Sequence, residues 1–184
     1  SRKQMLSYEH RVQVSDKLWN SLFDYQKKGV QEIVHRFHGR CLLADEMGLG
    51  KTRQALAVIS HYNVKTIVLC PAFLQANWHH ELARFQLHAK VCSFNSFRHT
   101  SQDEQLVIVD EAHYLKSRTS ARAQLILPLL LRARRVVLLS GTPCPNRPEE
   151  LFNLLHALRP RLVPNFVDFA KRYCNPRKTL FNHF

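Results

Sequence analysis

Four short apolar runs constrain the fold more than any other feature of this sequence: Cys41-Leu42-Leu43-Ala44, Thr66-Ile67-Val68-Leu69-Cys70, Leu106-Val107-Ile108-Val109-Asp110 and Val136-Val137-Leu138-Leu139-Ser140. Each is apolar at successive positions, so a strand built from it buries both faces and needs helices above and below its sheet. A fifth, weaker run spans 90–94. Helical stripes separate the runs. Val30, Ile33, Val34 and Phe37 fall at i, i+3, i+4 and i+7, which predicts a helix over about 25–38. Ala55, Val58, Ile59 and Tyr62 repeat the stripe, as do Leu74, Trp78, Leu82 and Phe85 after Pro71. A further helix is predicted over 149–158, with Pro148 at its first turn, where a missing N–H costs nothing. Alternating strands and helices predict an α/β chain with a parallel sheet covered on both faces. Ligands of such sheets sit beyond the carboxyl ends of the strands, here just after Ala44, Asp110 and Ser140.

Composition agrees with one packed domain. Of 184 residues, 45% are apolar, too many for a chain that cannot offset its ordering entropy. The longest apolar run, 125–131, is broken by Pro128 and expected in the core; a bilayer span needs about 20 apolar residues, so no membrane role is expected. Twenty-seven Lys and Arg against 14 Asp and Glu give a net charge of +13. Residues 1–92 hold 13 basic and 7 acidic side chains and the rest hold 14 and 7, so the excess is no basic tail. A basic folded domain suits a polyanion. The five Cys are odd in number, lack metal-type spacing and imply a reducing, intracellular setting. The opening Ser1-Arg2-Lys3 has no initiator Met and suggests a piece of a longer or processed chain.

After the first run comes Asp45-Glu46-Met47-Gly48-Leu49-Gly50-Lys51-Thr52, leading into a helix. Gly48 and Gly50 let backbone N–H groups turn toward an anion at the helix N-terminus. Lys51 is spaced to meet the β- and γ-phosphates, and the Thr52 hydroxyl to ligate Mg²⁺. The strict pattern G-x-x-x-x-G-K-S/T would have Gly where Asp45 stands, so this is a variant Walker A loop. About 60 residues on, the third run ends in Asp110-Glu111-Ala112-His113. An aspartate ending an apolar strand is the Walker B arrangement and suits Mg²⁺; Glu111 is placed to orient or deprotonate an attacking water. The fourth run leads into Ser140-Gly141-Thr142-Pro143, whose hydroxyls should lie beside the acidic pair.

Together these motifs resemble the first RecA-like lobe of a superfamily-two helicase-like ATPase, a P-loop NTPase, and within it the Swi/Snf-type DNA translocases. Pro71, Leu74, Trp78 and Glu81 match the family's P-x-x-L-x-x-x-W-x-x-E stretch, and Leu22-Phe23-Asp24-Tyr25-Gln26 with Gly29 resembles its L-x-x-Y-Q-x-x-G segment. Tyr114-Leu115-Lys116-Ser117-Arg118, Arg147-Pro148-Glu149-Glu150-Leu151-Phe152 and 169–175 look most like the HepA-related annealing helicases, which remodel stalled forks. The resemblance implies a RecA-like parallel sheet, ATP and Mg as cofactors, an adenine contact for Gln26, nucleotide contacts from Asp45 through Thr52, and catalytic roles for Lys51, Asp110 and Glu111. It further implies duplex or branched DNA as partner and a nuclear location. Residues 18–175 would form the lobe, 1–17 an N-terminal extension and 176–184 a tail toward a second RecA-like lobe. That second lobe carries the family's arginine finger, so residues 1–184 alone are expected to hydrolyse ATP very slowly. Phe94-Asn95-Ser96-Phe97 matches the family's S-Y motif only loosely.

Two other functions fit part of the pattern. His113 completes a DEAH box, which suits an RNA helicase lobe equally well; Asp45-Glu46-Met47 and the Trp78 stretch favour DNA. A non-catalytic DNA- or protein-binding module would not need Lys51, Thr52, Asp110 and Glu111 together. Arg132, Arg134 and Arg135 form a basic knot suited either to a phosphate or to a solvated helix end. Phe181 and Phe184 are expected to pack on the second lobe.

Overall fold

The runs apolar on both faces become strands. In this computed structural model, which describes residues 11–44, 50–98, 103–115, 120–141 and 180–181, the order is α1 (Asp16–Asn20), α2 (Asp24–His35), β1 (Arg40–Ala44), α3 (Gly50–Tyr62), β2 (Thr66–Cys70), a 3-10 turn (Ala72–Leu74), α4 (Gln75–Arg84), β3 (Lys90–Ser93), β4 (Leu106–Val109), a second 3-10 turn (Ala112–Leu115), α5 (Ala121–Arg132), β5 (Arg135–Ser140) and β6 (Leu180–Phe181). The helix predicted over 149–158 lies outside the described residues.

The sheet order is β3-β2-β4-β5-β1-β6. Its first five strands run parallel. Leu69 is level with Cys92 and Val109, Val109 with Leu138, and Ala44 with Ser140. The carboxyl ends of β1, β2, β4 and β5 therefore share one edge. β2 and β4 are buried at every position. Val68 and Ile108 face a layer built from α1 to α4, with Leu18, Val30, Ile33, Leu56 and Trp78. Ile67, Leu69, Val107 and Val109 face α5, through Ile126, Leu129 and Leu130. Truncating one such Leu or Ile to Ala costs about 2–5 kcal/mol.

Local chemistry sets several boundaries. Ser15 caps α1, its Oγ accepting from Leu18 N–H at 3.3 Å, and Ser120 caps α5, accepting from Ala123 N–H at 3.1 Å. The helix expected over 25–38 stops at His35, because His38 and Gly39 take positive φ (51° and 73°) and turn the chain into β1. Phe37 still reaches the core. The expectation that all of 125–131 lies in the core is corrected. In α5, Ala123, Ile126, Leu129 and Leu130 are buried at i, i+3, i+6 and i+7, whereas Pro128 and Leu131 (55% exposed) fall off that stripe. The three members of the basic knot differ in their surroundings, with Arg134 exposed. Arg132 lies 3.6 Å from Glu104 and Arg135 stacks 4.0 Å from the Tyr62 ring centroid, at the amino edge of the sheet. Leu180 and Phe181 pair antiparallel with Ala44 and Leu43 of β1, so Phe181 holds a place in the sheet itself.

Candidate functional site

The parallel sheet brings its strand ends to one edge, and there the polar residues of the motifs converge. β1 delivers the chain at Ala44 and α3 begins at Gly50. Asp45, Glu46, Met47, Gly48 and Leu49 lie between them, outside the described residues, as do Thr142 and Pro143. Lys51, in the first turn of α3, is only 3% exposed; Thr52 beside it is half-buried. A Cβ on Gly141 would come 3.9 Å from Lys51 Nζ, so the ammonium lies against the end of β5.

Gln26 is brought to the same helix start. Its Oε1 accepts from Phe23 N–H at 2.8 Å, closing the first turn of α2. Its amide nitrogen faces Gly50, where an added Cβ would lie 2.5 Å from Gln26 Nε2 and 3.2 Å from the Tyr25 hydroxyl. Glycine at 50 is therefore a matter of close approach. The exposed rings of Phe23 and Tyr25 flank this point, stacked at 6.1 Å with an interplanar angle of 12°.

Asp110 follows β4 and stays in the ladder through its N–H, which donates to Leu69 O at 2.8 Å. The residue is 7% exposed. Its Oδ1 accepts from Glu111 N–H at 2.9 Å and its Oδ2 from the Trp78 indole Nε1–H at 2.9 Å. Burial pushes the carboxyl above the ordinary carboxylate range; the Trp78 and Glu111 hydrogen bonds and the charges of Lys51 and His113 pull it back. Glu111 takes the left-handed conformation, φ 52°, and its carboxylate lies 3.2 Å from His113 Nδ1.

Lys51, Asp110, Ser140 and Gly141 thus meet at the carboxyl edge, with Gln26 and Gly50 beside them. Glu111 instead turns toward His113. The donor set suits a magnesium-bound triphosphate: a buried ammonium and a helix start for phosphate, a hydroxyl and a carboxylate as hard oxygen ligands. Two of the roughly four lone-pair positions on the Asp110 carboxylate are used by the protein, leaving room for a metal or its water. The sequence shows no sign of the Trp78–Asp110 bond or of the Phe23–Tyr25 stack. A cleft of about 1030 Å³ opens at the opposite edge, among Lys65, His79, Leu82, Leu87, Lys90 and Glu104. Two of its charges are matched within the chain, Lys65 by Asp103 at 2.6 Å and Glu104 by Arg132 at 3.6 Å.

The family model described as "SNF2-related domain" matches residues 25–104 and 90–180. The mouse (Mus musculus) "DNA annealing helicase and endonuclease ZRANB3" is 35% identical over 208 residues, covering 95% of this chain and 19% of the relative. The Xenopus tropicalis "SWI/SNF-related matrix-associated actin-dependent regulator of chromatin subfamily A-like protein 1" is 35% identical over 192 residues, covering 90% of this chain and 20% of the relative. The chain thus spans about a fifth of the length of these curated relatives. The fold is similar to that of the "Sulfolobus solfataricus SWI2/SNF2 ATPase core in complex with dsDNA", with a TM-score of 0.64 at 22% identity over 82% of this chain and 38% of that one.

Proposed function

The chain belongs to the SNF2-related domain family, and on that premise we propose that it is the ATP-binding lobe of a DNA-dependent ATPase that remodels or anneals duplex or branched DNA in the nucleus. The observation carrying this reading is the meeting of two buried opposite charges, Lys51 and Asp110, at the carboxyl edge of a parallel sheet. Burying an ammonium and a carboxylate is costly unless they serve each other or a ligand. The names of the relatives, with their annealing helicase and chromatin activities, support DNA as the substrate.

The residues divide the work. Backbone N–H groups at the start of α3 and the Lys51 ammonium would hold the β- and γ-phosphates, and the Thr52 hydroxyl and Asp110 carboxylate would hold magnesium. Magnesium, when bound, neutralises charge developing on the transferred phosphoryl group. Gln26, fixed by the Phe23 N–H, would present its amide to the adenine edge. Glu111 would turn from His113 to orient the attacking water. A second lobe would supply an arginine worth about 10³–10⁵ in rate, so this chain alone turns over very slowly. Phosphate contacts carry little sequence information, and movement along DNA would be largely sequence-independent.

ATPase assays test the reading. Residues 1–184 should show marginal turnover, and a longer chain carrying the second lobe should be stimulated by duplex or branched DNA far more than by RNA. Strong DNA-stimulated turnover by residues 1–184, or equal stimulation by RNA, contradicts it.

A further inference from the structure

Trp78 matches a family stretch, yet the function proposed above gives it nothing to do. It sits in the middle of α4, fully buried among the apolar side chains of that layer. A core residue could be Leu or Phe there. A buried indole also brings an N–H that must find an acceptor, and the acceptor is Asp110 Oδ2 at 2.9 Å, 32 residues away in sequence. The other carboxylate oxygen is held by Glu111 N–H at 2.9 Å. With one donor on each oxygen, the carboxylate cannot rotate about its Cβ–Cγ bond without breaking both bonds. The two donors also differ in kind. Glu111 N–H belongs to a residue that is itself at positive φ, where the chain leaves β4. Trp78 belongs to a packed helix and is fixed by its surroundings.

We propose that Trp78 is a positioning residue for the metal-side carboxylate: its indole N–H, anchored by the α4 layer, holds Asp110 in the rotamer that leaves one lone pair on each oxygen for a magnesium ion or its water. This rests on the nucleotide-site reading. A ligand oriented in advance binds metal more tightly than one that must be ordered on binding, and outer partners of metal ligands act in this way.

Trp78→Phe keeps the aromatic bulk and removes only the N–H. Calorimetric titration of Mg²⁺ at a fixed, saturating concentration of a non-hydrolysable ATP analogue should give a half-saturation for Trp78→Phe about ten-fold above that of the unchanged chain. Binding of the same analogue without metal should be unaltered. A merely structural Trp78 would lower the melting temperature and leave the Mg²⁺ midpoint in place, and that result overturns the proposal while the nucleotide site stands. If the unchanged chain shows no Mg²⁺-dependent nucleotide binding, the site reading falls and the proposal with it. Should Trp78→Phe not fold, the indole N–H resonances of the unchanged chain carry the test, since the chain has two Trp. The Trp78 signal should shift on adding Mg²⁺ with the analogue, the Trp19 signal should not, and Asp110→Asn should abolish the shift. A Trp78 signal that ignores Mg²⁺ overturns the proposal.

Discussion

The two edges of the sheet hold similar kinds of residue and treat them differently. At the amino edge Arg135 lies on the Tyr62 ring, Arg132 faces Glu104, and Arg40 donates to the backbone oxygens of Leu130 and Ala133 at 3.0 and 2.9 Å. These three guanidinium groups meet partners within the fold, while Arg134 beside them is exposed. At the carboxyl edge Lys51 and Asp110 are buried near Gly50, where an added Cβ would displace the Gln26 amide, and beside a glutamate in a left-handed backbone. Left-handed backbone occurs at both edges, at His38, Asn63 and Gln86 before the strands and at Glu111 after β4, so strain does not separate them. What sets the second edge apart is a buried ammonium and a buried carboxylate brought together at the strand ends, as they are where a site serves a ligand. The lesson is that basic residues in this +13 chain cannot be sorted by charge. They are sorted by what the strand direction brings beside them.

The sharpest way to break the contrast is Lys51→Ala. Loss of charge-assisted bonds worth about 1.5–3 kcal/mol should weaken Mg·ATP binding roughly 10- to 100-fold, read by calorimetry. An unchanged affinity would make the carboxyl edge as purely structural as the other. The mirror experiment is Gly39→Ala at the amino edge. Gly39 has φ 73°, and an added Cβ would lie 2.7 Å from Arg135 Cδ and 2.8 Å from a Tyr62 ring carbon. The variant should lose about 1–3 kcal/mol of stability in chemical denaturation and keep its nucleotide affinity.

Gln26→Ala should do a little of both. It removes the acceptor for Phe23 N–H, costing about 1 kcal/mol of stability, and should reduce the preference for ATP over GTP in a competition assay. The smallest effect concerns acid. His61 Nδ1 accepts from Gln13 N–H at 2.9 Å, so the docked ring is neutral. Burial, with His35 and Arg135, lowers its pKa below the ordinary histidine value. The unfolded chain then binds the proton more readily than the folded one, and this contribution to stability falls as pH drops from about 7 toward 5. His61→Gln should flatten the melting temperature against pH over that range without changing nucleotide binding.

Much of this was legible in the sequence because it is written in short-range pattern. β2, β4 and β5 announce themselves by unbroken apolar runs at 67–70, 106–109 and 136–139, and the candidate phosphate loop by its place between a strand and a helix. Burial of Cys41 and Cys70, whose thiols are pushed up to about 12, follows from the same runs. What could not be read depends on distant partners. α5 is apolar from 125 to 131 around Pro128 and offers no clear helical period. A two-residue pairing such as β6 has no periodicity at all. Arg132 and Arg135 look alike as letters, and only Glu104 and Tyr62 decide what they do. Trp78 reads as one more residue in a helical stripe; its role rests on an indole proton and a carboxylate brought together by α4 and β4.

The bend at Glu111 has a practical side. Glycine would adopt its φ of 52° more cheaply, by about 1 kcal/mol. A library sorted purely for heat resistance would thus tend to discard this carboxylate, and rugged variants recovered from it would need a separate check of the proposed nucleotide site.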